Sequence, residues 1–146
     1  MQYIPLAGRV FYSAIFLMFG LSHFTQTAVM AEFVPSYLPA PTVIVIVTGF
    51  MIVSGGLMIL LGYRARTGAL LLVIFLIAVV LMVHLPGFAE GDQVATGNFM
   101  RDLALAGAAL MIRYFGSGPK SLDEREAAVE AAYPGGPSAR QGSPLR

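Results

Sequence analysis

The sequence predicts an all-α integral membrane protein, a four-helix bundle of up-down-up-down order with both termini in the cytoplasm. Three observations predict it. Charge is scarce: 57% of the 146 residues are hydrophobic and 12% are charged, against about 25% charged in a soluble domain. The apolar residues are gathered into blocks. Residues 67–85, TGALLLVIFLIAVVLMVHL, meet no charged side chain and only one ionisable one, His84. They lack the polar stripe of a surface helix, and about twenty residues at helical rise cover the roughly 30 Å of bilayer hydrocarbon. Finally, the basic residues are lopsided. Arg9, Arg64, Arg66, Arg113 and Lys120 fall at one set of span ends, whereas Glu32, Glu90, Asp92 and the pair Arg101–Asp102 fall at the other. The positive-inside rule puts the first set in the cytoplasm.

Composition also excludes several functions. A net charge of +1 gives no basic surface for nucleic acid. With no cysteine there are no disulfides, no thiol redox chemistry and no cysteine-ligated metal or iron–sulfur centre.

The elements follow in order. The first span, about residues 5–24, opens on Pro5, whose missing N–H costs nothing at a helix start. Arg9, one turn in, is expected to snorkel to the headgroups. A cleavable signal peptide is the competing reading, with a small-residue site at Val29-Met30-Ala31, but its basic n-region is weak. Residues 25–41 form a proline-rich connection in which 28–34 make one short amphipathic turn, stopped by Pro35. The second span, about 42–62, carries Ser54, Gly55 and Gly56, small residues that let a neighbouring helix approach. Gly62 ends it, and residues 63–66 turn into the third span, about 67–85. Residues 86–97 form a polar connection, and Asn98 is the expected cap of the fourth span, about 98–115. Gly107 and several alanines make that helix a packing helix. Residues 1–116 are thus the bundle, and 117–146 a cytoplasmic tail. In the tail, Ser121 and Glu124 spell a capping box for a short helix at about 121–133, followed by a Pro/Gly/Ser-rich disordered end. Arg9, Arg64, Arg66 and Arg113 are the expected topology anchors.

His23 ends the first span and His84 the third, and Arg101 and Asp102 open the fourth, so four ionisable groups from three helices meet at one end. Arg9, Ser13, Phe16, Gly20 and His23 follow at spacings of four and three, and so share one helix face. Asn98, Asp102, Ala106 and Ala109 do the same on the fourth helix. Ionisable groups in a span face the interior and pair, because exposure to hydrocarbon costs several kcal/mol. Each is also within about a turn of a span end, where water reaches it, so an interfacial role competes with a ligand-binding pocket. Such a pocket suits a quinone headgroup, with donors for each carbonyl and a proton route. Two other ligands are open: a haem held by His23 and His84, and a small anion at Arg101. No metal site is expected, since two histidines lack enough further ligands.

Several segments together resemble the DoxX family of bacterial membrane proteins. They are FGLSHF at the end of the first helix, FVPSYLPAP, the GG-L-x-x-L-x-G-Y-x-x-R turn, VHLPG, and NFMRDLALAGAAL; the match spans about Arg9 to Arg113. The resemblance implies a small four-helix protein of the bacterial inner membrane, working near quinone or small sulfur compounds as part of a thiosulfate:quinone oxidoreductase-like or oxidative-stress assembly. Many relatives carry a glutamate three residues before the paired glycines, where this chain has Ile52. The expected function is therefore an auxiliary subunit of a membrane redox assembly, embedded in lipid with a membrane-protein partner or a second copy, and not a self-sufficient enzyme. The alternative is a structural or assembly subunit without a ligand. A small-molecule permease is disfavoured because Ser13, Thr48 and Ser54 are the only polar side chains at mid-depth.

Overall fold

The computed structural model describes residues 3–133, whose regular secondary structure is helical with no strand among them. The expected disordered end, residues 134–146, lies outside the described residues. The long helices are α1 (Ile4–Thr25), α3 (Pro41–Leu61), α4 (Ala65–Val79) and α6 (Gln93–Phe115). Short α2 (Thr27–Ala31) follows α1, and α4 continues through a π-helical turn (Val80–His84) into α5 (Leu85–Ala89). Helix α7 (Leu122–Ala132) closes the described chain. Three stretches are long and apolar enough to cross a membrane: Ile4–Thr25, Pro41–Leu61 and the continuous Ala65–Ala89.

Glycine sets how closely the helices approach. A Cβ on Gly20 would lie 2.7 Å from Val53 Cγ2, and one on Gly49 would lie 2.8 Å from the Cβ of His23. Helices α1 and α3 therefore run antiparallel with side chains of one resting on bare backbone of the other. Gly55 and Gly68 do the same for α3 and α4: each hypothetical Cβ falls within 3.0 Å of the other glycine's carbonyl oxygen. Close backbone approach is how helices gain dispersion energy where lipid removes the hydrophobic drive. The core between them is Phe16, Ile52, Ile59, Leu72, Phe75 and Ala106. Tyr12 closes α1 onto α6 by donating to the Leu105 carbonyl at 2.9 Å.

The packing face of α1 is Arg9, Ser13, Phe16, Gly20 and His23, the stripe given by the sequence spacing. Of the expected packing residues, Gly55 and Gly56 are buried, whereas Ser54 and Gly107 face outward, and a Cβ on Gly107 would meet nothing within 4 Å. Small residues permit contact without specifying which of several neighbours makes it.

Three other expectations are corrected. Helix α6 begins five residues before Asn98, because Asp92 takes the cap: its Oδ1 accepts from the N–H groups of Val94 and Ala95 at 2.7 and 2.9 Å. The third span passes through Pro86 and does not end at residue 85. Proline lacks an N–H and crowds the carbonyl four residues back, and the π-helical turn before it absorbs this, with Leu85 N–H reaching the Val80 carbonyl. Arg9 does not snorkel. It is 4% exposed and donates from Nη2 to the Lys120 carbonyl at 2.6 Å.

That contact belongs to a clamp made by residues 117–124 over the α3–α4 turn. Asp123 accepts from the N–H groups of Arg64 and Ala65 at 2.6 and 3.1 Å, and Ser117 donates to the same carboxylate at 3.0 Å. Asp123 N–H in turn donates to the Gly62 carbonyl at 2.7 Å. Gly62, with φ +63°, ends α3, and a Cβ there would run into Arg9 Nη1 and Ser121 Cβ.

Candidate functional site

At the bundle end opposite the clamp, α3 and α4 part to leave a cavity of about 380 Å³. This lies within the range of small-molecule sites. Its wall is apolar along most of its length, with Phe19, Val45, Met51 and Phe75 among the lining residues, and His84, Arg101 and Asp102 cluster at one end. His23, His84, Arg101 and Asp102, the four residues expected to meet, all line it.

Asp102 is the hub. Its carboxylate, 7% exposed, accepts from Arg101 Nε at 2.8 Å and lies 3.2 Å from His84 Nε2. The α6 spacing turns Asp102 inward with Ala106 and Ala109, while Arg101, one residue earlier, reaches outward with 55% of its side chain exposed. His84 is the last residue of the π-helical turn. Such a turn inserts a residue and re-aims the side chains around it, and Met82, Val83 and His84 all line the cavity in succession. A one-residue irregularity of this kind leaves no mark in the hydrophobic pattern.

His23 belongs to the same cavity but to a different set of partners. Its Nδ1–H donates to the Phe19 carbonyl at 2.9 Å, and its ring stands edge-on to Phe19 and Phe75, with centroids 4.8 and 6.1 Å away. With Nδ1 as the donor, a neutral His23 offers Nε2 as an acceptor. Nothing in the sequence marks Thr48 as cavity wall, nor the roof formed by Met30 of α2 with Phe33 and Leu38 of the α2–α3 connection. Asn98, expected as a cap, lines the wall instead; its position one turn before Asp102 on the inward stripe was the signal. Among the described residues no group of three histidines or carboxylates is placed to hold a metal ion.

The DoxX family profile matches residues 4–85, more than half of the chain. The chain belongs to the DoxX family. It is also 28% identical over 123 residues to the inner membrane protein YphA of Escherichia coli (strain K12), covering 82% of this chain and 88% of that relative. No solved structure matches. The family profile stops at residue 85, so the DoxX match includes His23 and His84 but not the helix that brings Asp102 to His84. Ile52 is fully buried against Gly20 in the core.

Proposed function

We propose that this DoxX membrane protein holds an uncharged quinone headgroup at the His84–Asp102–Arg101 end of its cavity, as an auxiliary subunit of a membrane redox assembly. The observation that carries this reading is a cluster of ionisable groups, His84, Asp102 and Arg101, at one end of an otherwise apolar cavity. Arg101 and Asp102 offset each other, so the cavity favours a neutral head over a sulfur oxyanion, which Asp102 would repel. A neutral His23 offers an acceptor elsewhere on the wall for a hydroxyl of the reduced quinol, and the Asp102–His84 pair a place to hold its proton. A haem is a poorer fit, because His84 Nε2 is already engaged by Asp102.

Helix α6 is, in this proposal, the fourth span. Arg64, Arg66, Arg113 and Lys120 then face the cytoplasm with both termini, and Glu32, Glu90 and Asp92 lie outside the bacterial inner membrane. The relative's description as an inner membrane protein supports that location. A permease is disfavoured, since Thr48 spends its hydroxyl on the Ile44 and Val45 carbonyls and the clamp covers the far end. An assembly role keeps one supporting observation: Gly107 faces outward on α6 with nothing against it, leaving room for a partner helix or a second copy.

Extraction tests the reading. Purified protein is expected to yield quinone near one per chain, and His84→Ala and Asp102→Asn preparations to yield less than a tenth of that. Equal yields from wild type and both variants, with all three folded, would remove the headgroup site.

A further inference from the structure

The cavity's shape says more about its occupant than the polar end does. Along α3 it runs from Ile44 to Met51, and along α4 from Ile74 to His84. Ten residues at 1.5 Å each make the α4 side about 15 Å long. Its inner limit, Met51 and Ile74, lies one to two turns short of the Gly55–Gly68 crossing, where the two backbones come closest. Beyond that pivot no glycine pair holds α3 to α4, whereas Gly20 and Gly49 keep α1 on α3 throughout. The cavity is therefore a slot between two spans, pinched at one end.

The slot opens sideways. Ile74 lies nine residues into the continuous Ala65–Ala89 span, about 13 Å from its start and so near mid-bilayer depth. Ile74 is 53% exposed and Met82 44%, yet both line the cavity. Exposed positions on a span face hydrocarbon, and here the same side chains are also cavity wall. The polar end, by contrast, is roofed by Phe33 and Leu38.

We infer that the slot between α3 and α4 is a lateral portal, so the occupant is a bilayer-dissolved amphiphile. Its neutral, hydrogen-bonding head rests at His84–Asp102, and its apolar tail leaves past Ala78 and Ile74 into the lipid. This rests on the headgroup reading above and adds the tail and the route. A water-borne ligand has no use for 15 Å of apolar slot opening at mid-membrane, since such a wall rewards only a tail that fills it.

Two measurements test it on the full-length protein. In the first, a tailless benzoquinone and the same ring with a ten-carbon tail are titrated against wild type and Ala78→Phe, which fills the slot midway between the head and Ile74. The tailed compound is expected to bind at least tenfold tighter after correction for partitioning, and Ala78→Phe to abolish that gain while leaving tailless binding within twofold. Equal affinities in wild type, or equal losses for both compounds in Ala78→Phe, would overturn the portal. If wild type bound neither ring, the headgroup reading would fall, and the second measurement would decide the portal alone. The chain has no tryptophan, so Met51→Trp places a single fluorophore on the slot wall. In vesicles of chain-brominated phosphatidylcholine it is expected to be quenched as deeply as lipid-facing Phe50→Trp. Quenching as weak as that of core Phe16→Trp would mean that the slot is closed to lipid.

Discussion

Asp102 accepts from Arg101 and stands 3.2 Å from His84 Nε2 while almost wholly withdrawn from solvent. Removing its charge while keeping its shape should weaken both contacts. Arg101 is half exposed and finds water or headgroups, so its share is small, and most of the loss belongs to His84. Asp102→Asn is expected to lower stability by about 1–3 kcal/mol, read as a lower midpoint of thermal unfolding in detergent; an unchanged midpoint would show the network to be ornamental. Asp123 invites a parallel test at the other end. It accepts from two backbone N–H groups at the start of α4, a capping role worth about 0.5–2 kcal/mol, and Asp123→Ala should lose that amount in the same assay. The inward stripes of α1 and α6 were legible in the sequence because helical spacing alone fixes a shared face. Arg9 was not: its partner carbonyl belongs to Lys120, 111 positions away, and an arginine one turn into a span otherwise reads as an anchor.

Helix against helix, the glycines divide into two groups that sequence treats alike. Gly68 sits where a Cβ would press within 2.7 Å of Met58 Cβ and 2.8 Å of the Gly55 carbonyl oxygen, whereas Gly107 sits in open space. Gly68→Ala is therefore expected to destabilise by about 1–3 kcal/mol through forced separation of α3 and α4. Gly107→Ala should raise stability by up to about 1 kcal/mol through helix propensity. Thermal unfolding of the two variants side by side checks the contrast, and similar shifts would contradict the α3–α4 pivot. The three apolar spans were legible from block hydrophobicity. The start of α6 was not, because Asp92 and Asn98 are both good caps and only the folded turn selects Asp92. Nor was the passage of the third span through Pro86, which depends on a π-helical turn the sequence does not announce.

At the scale of the whole molecule, tight packing and a carboxylate clamp at one end are set against a splayed, roofed cavity at the other. The proposed orientation is open to direct mapping because the chain has no cysteine. Glu90→Cys should react with a membrane-impermeant maleimide in intact inner-membrane spheroplasts, and Arg125→Cys only after permeabilisation; the reverse pattern would invert the topology. Docking of residues 117–124 onto the α3–α4 turn was hidden in a sequence whose tail reads as a plain exposed helix. If the cavity is a binding site built on Asp102, native mass spectrometry of protein released gently from its own membranes should reveal its occupant. One small-molecule adduct per chain is expected on wild type and none on folded Asp102→Asn, and an identical adduct pattern on the two would rule the site out.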